Sequence, residues 1–392
     1  MIDFNKTGDI TITCQKNIAD ALALEVRALG FQVKEKFLTG LTLKGSLNDC
    51  IKLNLNLYCA SQILYKIKSF TANSADEVYE QVAAIDWSKI MDAEDYFSIK
   101  SNVFHPRINN SMFANLRVKD AIVDQFRTKT GKRPNTGADL KGLVVHLHWK
   151  NENAAIYLDT SGNSLGRHGY RKFPGKAPML ESLAAATILS TKWNKKSAFV
   201  NPMCGSGTLA IEACLIATNR KPGLFRTHYA FMHIKGYDEQ VYFKEDSLLE
   251  EQILDLPELK IIASDLDPEA VVTAQKNAIA AGVKDLIHFE VCDFRRSTIP
   301  NPEKGSVVFL NPEYGDRLGL VKELEEVYSG IGDFFKQKCR GYTGYVFTGN
   351  SELARKVNLK AERKIPFYNA KIECRLLEFE LYKGSKPGKD LR

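Results

Sequence analysis

A strand, a glycine-rich turn and a helix follow one another directly in the middle of this chain. The apolar run Ser197 to Val200 predicts a buried strand, and Leu209 to Ala217 has the composition of a helix. Between them, Gly205 and Gly207 stand in the turn Asn-Pro-Met-Cys-Gly-Ser-Gly-Thr. Glycine has no Cβ, so such a turn lets a ligand come within hydrogen-bond distance of the backbone. The arrangement predicts an α/β domain with a nucleotide-type binding site.

Three further strands are predicted after this turn, and a polar side chain follows each of them. These side chains are Asp265, Asp293 and Asn311. Open α/β sheets bind ligands at the carboxyl ends of their strands, so we expect the turn and these three residues to form one site. A carboxylate at the second strand end can accept hydrogen bonds from both hydroxyls of a ribose. A carboxylate at the third strand end can accept a hydrogen bond from an adenine amino group.

A nicotinamide-binding site is an alternative reading of the same turn, because Gly205 to Ala210 fits the pattern G-x-G-x-x-A. That pattern expects an acidic residue about 20 positions further on. Here Asp265 follows Gly205 by 60 positions, and the segment from Asn219 to Leu256 is interpreted as an insertion. Asp267 stands just before Pro268, and a helix N-cap explains it as well as a ligand contact does.

Length and composition limit the classes of protein. With 392 residues the chain should form two or three domains. It opens without a signal-peptide pattern, and no apolar run approaches the roughly 18 residues of a membrane span, so we expect a cytoplasmic protein without a membrane partner. The eight cysteines include no C-x-x-C pair, so we expect no metal site and no disulfide framework. The net charge of +7 permits a nucleic-acid partner.

Four segments are predicted along the chain. Residues 1–69 form a small α/β domain, in which a helix begins after Ser46 and runs to Leu64. Residues 70–162 form a second α/β domain, residues 163–178 a linker rich in glycine, proline and basic side chains, and residues 179–385 the domain that contains the glycine turn.

Basic side chains concentrate in two of these segments. Those on an amphipathic helix and the loop after it are Lys119, Arg127, Lys132 and Arg133, and those in the linker are Arg167, His168 and Arg171. As clusters they suit phosphate contacts that carry no sequence information. The alternative for each residue is a solvated charged surface.

The motifs resemble known families. The stretch 118–127, the loop Gly-Lys-Arg-Pro at 131–134 and Leu-Asp-Thr-Ser-Gly at 158–162 resemble a THUMP domain preceded by its ferredoxin-like companion, a module that binds RNA. The second half resembles a Rossmann-like class I methyltransferase that uses S-adenosylmethionine, of the branch that methylates exocyclic amino groups. The matching motifs are the turn at 201–208, Ser-Asp-Leu-Asp-Pro, Cys-Asp-Phe and Asn-Pro-Glu-Tyr-Gly. With Arg-His-Gly-Tyr-Arg at 167–171 and the segment 368–375, the chain is similar over its whole length to THUMP-containing guanine-N2 methyltransferases of large-subunit ribosomal RNA.

The resemblance implies roles for named residues. Those implied to bind the cofactor are Asn201, Met203, Gly205, Gly207, Thr208, Asp265, Leu266, Asp293 and Phe294. Those implied to be catalytic are Asn311, Pro312 and Tyr314. The Asn311 side-chain oxygen and the Pro312 carbonyl would each accept one N–H of the amine, and Tyr314 would stack on a flipped base.

The chain departs from the family pattern at three positions. Glu313 stands where the motif usually has a second proline, Asn201 where Asp is common, and His168 where a basic residue is frequent. Alternative functions are N2 methylation of a tRNA guanine, N6 methylation of adenine in nucleic acid, and RNA binding without catalysis. Longer relatives carry a second methyltransferase domain, whose activity we expect to be absent here. The oligomeric state is left open.

Overall fold

The chain divides into two compact units. The computed structural model describes residues 1–108, 110–173, 179–315 and 321–382. The first unit comprises Met1–Gln15, Leu22–Gly166 and Pro222–Glu251, and the second comprises Lys16–Ala21, Arg167–Lys221 and Gln252–Arg392. Residues 174–178 of the predicted linker and residues 383–385 of the predicted last domain lie outside the described residues.

One mixed sheet of eight strands runs through the first unit. Its order is β2-β3-β1-β4-β8-β7-β5-β6. The antiparallel pairing of β4 with β8 joins the strands of the two predicted N-terminal domains in this sheet. The elements from residue 1 to residue 159 are β1 Gly8–Thr13, α1 Ala19–Ala28, β2 Val33–Phe37, β3 Gly40–Gly45, α2 Leu47–Asn56, β4 Gln62–Thr71, α3 Ala75–Ala83, β5 Tyr96–Phe104, α4 Ser111–Thr130, β6 Asn135–Thr136, β7 Leu143–Lys150 and β8 Asn153–Asp159.

The helix predicted from Ser46 to Leu64 is shorter in the structure. Ser46 is its N-cap, in a capping box with Asp49, but α2 ends at Asn56. Beyond the helix, the Glu25 carboxylate accepts hydrogen bonds from the backbone N–H groups of Tyr58 and Cys59, at 2.8 and 3.0 Å. These bonds satisfy donors that a continued helix would have satisfied internally, so the predicted helix end was wrong.

The second unit contains a sheet of seven strands in the order β11-β10-β9-β12-β13-β15-β14. The strands from β11 to β13 are parallel, whereas β15 pairs antiparallel with β13 and with β14. The strand order reverses between β9 and β12, which is where open α/β sheets bind their ligands. The elements after residue 159 are α5 Glu181–Leu189, β9 Phe199–Pro202, α6 Thr208–Ala217, α7 Glu239–Glu251, β10 Ile261–Asp265, α8 Pro268–Ala280, β11 Ile287–Val291, β12 Val307–Leu310, α9 Val321–Lys338, β13 Thr343–Thr348, α10 Ser351–Lys356, β14 Arg363–Asn369 and β15 Ile372–Glu380.

Apolar strands hold the middle of this sheet in the interior. All four residues of β12 are fully buried, and Val308 and Leu310 join a core cluster with Tyr328 and Phe335 of α9. The intervening Phe309 has its ring centroid 6.0 Å from that of Tyr345 in β13. Continuous burial of this kind is typical of a parallel strand covered on both faces, so the end of β12 is a rigid support for Asn311.

The segment predicted as an insertion folds with the first unit. Within Pro222–Glu251, Arg226 donates hydrogen bonds to the backbone carbonyls of Ser161 and Asn163, at 2.9 and 2.8 Å. The rings of Tyr229 and Phe231 stack with centroids 5.0 Å apart, and both side chains are fully buried. The buried rings therefore belong to the hydrophobic interior of the first unit, and the Arg226 hydrogen bonds attach the segment to the end of the second predicted domain. Among the described residues, no helix is long and apolar enough to cross a membrane.

His146 makes the stability of the first unit sensitive to acid. Its ring is buried beside Tyr157, and neither ring nitrogen has a hydrogen-bond partner within the described ranges. Burial, with a contribution from Lys100, lowers its pKa from 6.5 to about 4. Between these values the unfolded chain binds more protons than the folded one, so the free energy of unfolding falls as pH drops through this window.

We therefore expect His146→Phe to remove part of the acid sensitivity. The wild type should lose about 2 kcal/mol more stability than the variant between pH 7 and pH 5. Urea unfolding at both pH values measures this difference, and His288→Gln, at an exposed histidine, is the control that should behave as wild type. Equal losses in wild type and His146→Phe would contradict the prediction.

Candidate active site

The glycine turn between β9 and α6 is fixed by β10. The backbone N–H of Cys204 donates to the Ser264 carbonyl at 2.9 Å, and the N–H of Gly205 donates to Oδ2 of Asp265 at 2.8 Å. The second oxygen of that carboxylate, Oδ1, accepts from the N–H of Asp267 at 3.0 Å. Asp265 therefore holds the turn in place, and its carboxylate still has lone pairs for a ligand, because each oxygen can accept a second bond.

The two glycines of the turn are needed for different reasons. Both have positive φ angles, +54° at Gly205 and +82° at Gly207. A Cβ on Gly207 would lie 2.8 Å from the Cβ of Ala274, so this residue permits close packing of the turn on α8. A Cβ on Gly205 would meet no atom of the described residues within 4 Å. Gly205 therefore borders open space that a ligand can enter, whereas Gly207 serves packing.

Asn201 links the turn to the neighbouring strand. Its side chain is fully buried, and Nδ2 donates to the Phe309 carbonyl of β12 at 2.8 Å. Oδ1 is buried and has no hydrogen-bond donor within the described part of the chain. A buried acceptor without a donor costs free energy of folding. An ammonium group of a ligand, or a water molecule, could supply the donor at this point, where the strand order reverses.

Other residues implied to bind the cofactor surround this turn. Met203 has a φ of +58°, uncommon outside glycine, and Thr208 is buried at the start of α6. Leu266, directly after Asp265, is 71% exposed. Phe294, in contrast, is buried in the core, with its ring 5.7 Å from that of Phe334.

Two aspartates have local partners. Asp267 is the N-cap of α8 and accepts from the N–H of Glu269 at 2.9 Å, which is the structural alternative considered from the sequence. Asp293 accepts from the backbone N–H and the guanidinium of Arg295, at 2.8 and 3.0 Å. Any ligand contact by Asp293 therefore shares the carboxylate with Arg295.

Cys204 lies in the glycine turn but is not poised as a nucleophile. It is buried, and burial raises the pKa of its thiol well above the usual value. The thiolate is the reactive form of cysteine, so this side chain supplies bulk to the turn and no covalent chemistry at neutral pH. Among the described residues, no group of three or more His, Cys, Asp or Glu side chains is arranged to hold a metal ion.

The residue directly after β12, Asn311, has a buried hydrogen-bond acceptor in its side chain. Oδ1 of Asn311 is buried and has no hydrogen-bond donor among the residues that the structure describes. Pro312 is buried, while the side chain of Glu313 is exposed. The Glu313 carbonyl accepts from the hydroxyl of Tyr328 at 3.3 Å, so the backbone of Glu313 is held while its side chain is exposed.

Tyr314 is held by residues to which the sequence analysis gave no role. Its hydroxyl accepts from Nδ2 of Asn369 at 2.7 Å, and its carbonyl accepts from Nδ2 of Asn350 at 3.3 Å. Asn369 belongs to the segment 368–375 that carried the resemblance, but a contact across 55 positions leaves no local signal in the sequence.

The structure corrects two of the predicted RNA contacts. The His168 side chain is fully buried, with Nδ1 2.8 Å from Oε1 of Glu212. Arg171 is 10% exposed and forms an ion pair with Glu181 at 2.8 Å. Both side chains therefore anchor the linker in the interior, and neither presents charge to a phosphate. Burial raises the pKa of Glu181, an effect that the Arg171 charge opposes.

The other predicted contacts lie at the surface. Arg127, Lys132, Arg133 and Arg167 are exposed. Lys132 forms an ion pair with Glu94, and Lys119, whose side chain is 23% exposed, forms one with Asp120. The Lys132–Glu94 pair is exposed on both sides, and exposed ion pairs are weak, so separating these two charges costs little free energy.

Three regions of the chain match known domain families. Residues 168–378 match the RMKL-like methyltransferase domain, designated UPF0020. The chain belongs to this family. Residues 72–159 match the THUMP domain and residues 9–64 the RlmL ferredoxin-like domain. The resemblance recognised in the motifs is confirmed, and so is the predicted fold class of three α/β domains with a Rossmann-like methyltransferase domain at the end.

Known relatives and solved structures extend this comparison. A ribosomal RNA large subunit methyltransferase K/L from Syntrophotalea carbinolica is 37% identical over 94% of this chain. The crystal structure of SMU.472, a putative methyltransferase in complex with S-adenosylhomocysteine (SAH), is 27% identical, with a TM-score of 0.87 over 97% of this chain and 100% of that one. A predicted N6-adenine-specific DNA methylase from Listeria monocytogenes has a TM-score of 0.86 at 27% identity over 97% of each chain. The chain spans about half the length of the curated relatives it matches, 53% of the first.

The different roles of the two glycines can be separated by substitution. Gly205→Ala and Gly207→Ala both place a side chain at positive φ, at a cost of about 1–2 kcal/mol. Gly207→Ala should lower the melting temperature further, because of the clash with Ala274, and Ala274→Gly should restore part of that loss. Gly205→Ala should mainly weaken SAH binding.

Thermal unfolding and titration calorimetry with SAH measure the two effects. Gly205→Ala with wild-type SAH affinity would show that the open space beside this residue is not the ligand site.

Proposed function

We propose that this protein transfers a methyl group from S-adenosylmethionine to the exocyclic N2 amine of a guanine in large-subunit ribosomal RNA. The observation that carries the proposal is the buried Oδ1 of Asn311, to which the described residues offer no hydrogen-bond donor, at the strand end next to the one that carries the glycine turn. An acceptor in that position suits an N–H donor that arrives with a substrate. The K/L relatives and the SAH-bound neighbour support the substrate and the cofactor.

The residues of the glycine turn fit S-adenosylmethionine. Gly205 borders open space, Asp265 has lone pairs to spare for ribose hydroxyls, and Oδ1 of Asn201 is a buried acceptor for the amino group of the methionine moiety. Leu266 offers an exposed apolar side chain for a purine face. When bound, the cofactor supplies a methyl group on a sulfonium: the amine nitrogen gains the C–N bond, sulfur keeps the electrons of the broken C–S bond, and the nitrogen releases a proton.

Asn311 and Pro312 would prepare the amine for this transfer. The lone pair of a purine amino group is delocalised into the ring, so the amine is a poor nucleophile. If Oδ1 of Asn311 and the Pro312 carbonyl each accept one N–H, the nitrogen is drawn toward tetrahedral geometry and its lone pair becomes available. The contribution of these residues is positioning, which can lower a barrier substantially without covalent catalysis.

Tyr314 would hold the base after it leaves the RNA stack. A base inside a helix cannot reach a buried acceptor such as Asn311, so it must be flipped out. Stacking on an aromatic ring stabilises such a base by about 1–3 kcal/mol. The partly buried ring of Tyr314 stands three residues after Asn311, at the same strand end.

The exposed arginines would contribute to RNA binding. Arg127 and Arg133 lie in the part of the chain that matches the THUMP domain, and Arg167 directly precedes the methyltransferase match. Their contacts would be to phosphates and independent of sequence. We keep the domain boundaries 1–69, 70–162 and 179–385 as part of this proposal, with Pro222–Glu251 contributing to the first unit. A cytoplasmic location, where ribosomal RNA would be available, is also part of the proposal.

Other substrates use the same amine chemistry. Asn311 accepts an N–H and does not by itself distinguish the N2 amine of guanine from the N6 amine of adenine. The THUMP domain favours RNA over DNA, and the K/L relatives favour ribosomal RNA over tRNA.

Substitution of Asn311 tests its role in catalysis. Asn311→Ala should lower methyl transfer at least about 100-fold, by analogy with removal of other preorganised polar groups, while SAH affinity stays near wild type. Transfer of tritiated methyl to large-subunit RNA from cells lacking the protein measures the rate. Asn311→Asp, which keeps an acceptor oxygen, is the matched variant and should be less impaired. An active Asn311→Ala enzyme would remove the amide from the mechanism.

The substrate itself can be identified in total RNA. We expect purified protein to place tritiated methyl in large-subunit ribosomal RNA from cells lacking the protein, and digestion to nucleosides should yield N2-methylguanosine. Label confined to tRNA, or found in N6-methyladenosine, would replace the proposed substrate with one of the alternatives.

A further inference from the structure

Tyr314 owes its orientation to residues far from it in sequence. We propose that Asn369 is a positioning residue, which sets the Tyr314 ring in the plane that receives the flipped base, and that Gly349 and Asn350 complete this support. The inference rests on the proposed function, because it takes the stacking role of Tyr314 as given. We call Gly349, Asn350 and Asn369 the tyrosine support.

The contact with Asn369 comes from the β14–β15 hairpin. Asn369 is the last residue of β14 and pairs with Ile372 of β15. Ala370, with a φ of +52°, makes the tight turn between the strands. Sheet register therefore fixes the direction in which Asn369 projects. Its Nδ2 donates to Oη of Tyr314 at 2.7 Å, a strong geometry for a neutral hydrogen bond.

Gly349 provides the surface against which the ring lies. A Cβ at this position would be 3.1 Å from Cδ2 and 3.2 Å from Cε2 of Tyr314. It would also be 2.8 Å from Cγ2 of Ile372. The ring and the hairpin thus both approach the bare backbone of Gly349. A side chain here would force Ile372 to shift and would press on the Tyr314 ring.

Asn350 holds the backbone of the same residue. Its Oδ1 caps α10 by accepting from the N–H groups of Glu352 and Leu353, at 3.0 and 3.1 Å. Its Nδ2 donates to the Tyr314 carbonyl at 3.3 Å. The single amide of Asn350 therefore ties the main chain at Tyr314 to the start of α10, while Asn369 fixes the end of the Tyr314 side chain.

Support at both ends matters because of the chemistry proposed for the ring. Stacking requires one ring plane, and a tyrosine in a loop would otherwise lose rotational freedom when the base arrives. A ring held beforehand avoids that loss, which is the general advantage of preorganised sites. The support therefore acts on the flipped state of the base and not on cofactor binding.

Asn369→Leu, with a similar volume and no hydrogen-bond donor, tests the inference. The single-turnover rate of methyl transfer to large-subunit RNA should fall about three- to tenfold, the value of one neutral hydrogen bond. SAH affinity and the KM for S-adenosylmethionine should stay at wild-type values. Tyr314→Phe, which keeps the ring and removes the hydroxyl, should give a loss of similar size.

The double variant decides whether Asn369 acts through Tyr314. If it does, Asn369→Leu should cause no further loss in the Tyr314→Phe background, since the hydroxyl it held is already gone. Equal losses from Asn369→Leu in both backgrounds would overturn the proposal, as would a wild-type rate for Asn369→Leu alone.

Two variants guard against a general structural effect. Glu373→Gln changes an exposed residue of the same hairpin, whose partner is Arg375, and should leave the rate unchanged. Asn350→Asp keeps an N-cap for α10 but cannot donate to the Tyr314 carbonyl, so it should lower the rate without lowering the melting temperature. A wild-type rate in Asn350→Asp would remove Asn350 from the support. If wild-type protein methylates no RNA, the proposed function fails; if wild type is active and Asn369→Leu is equally active, only this inference fails.

Discussion

The hydrogen bond from Asn201 to the Phe309 carbonyl joins the two strands on which the site is built. The bond crosses between β9 and β12, where the strand order reverses. Since both groups are buried, loss of the side chain would leave a carbonyl without its partner, an expensive defect in a protein interior. The glycine turn leaves one of these strands and the Asn311 loop leaves the other. The distance between the two halves of the candidate site is therefore set by one strand pair.

The Asp265 carboxylate and three asparagine amides shape this site through hydrogen bonds to other protein atoms. The Asp265 carboxylate organises the backbone of two successive turns, through Gly205 and Asp267. The amides of Asn201, Asn350 and Asn369 bind protein atoms through their Nδ2 groups. These neutral amides satisfy two backbone carbonyls and one hydroxyl without the desolvation cost of an ion. The result is a rigid frame in which a few acceptors remain for ligands.

Much of the frame was predictable because its signals are local. The apolar runs before Asn201 and Asn311 predict the strands, and the two glycines predict the turn, from residues adjacent in sequence. The end of α2 was not predictable, because Glu25, more than 30 positions away, accepts the N–H groups that follow it. The burial of His168 was missed for the same reason: its partner Glu212 lies on α6, and residue type alone does not tell a buried side chain from a phosphate contact.

The position of Pro222–Glu251 also affects how the protein can be made. These residues belong to the first unit, although the segment directly before them, Arg167–Lys221, belongs to the second unit. During synthesis from the N-terminus, the carbonyls of Ser161 and Asn163 therefore gain their hydrogen-bond donor Arg226 only after some 60 further residues have been made. The buried rings of Tyr229 and Phe231 arrive equally late. A fragment cut at Gly166 would lack a section of its own interior, so the first unit is not a module that can be excised or transplanted intact.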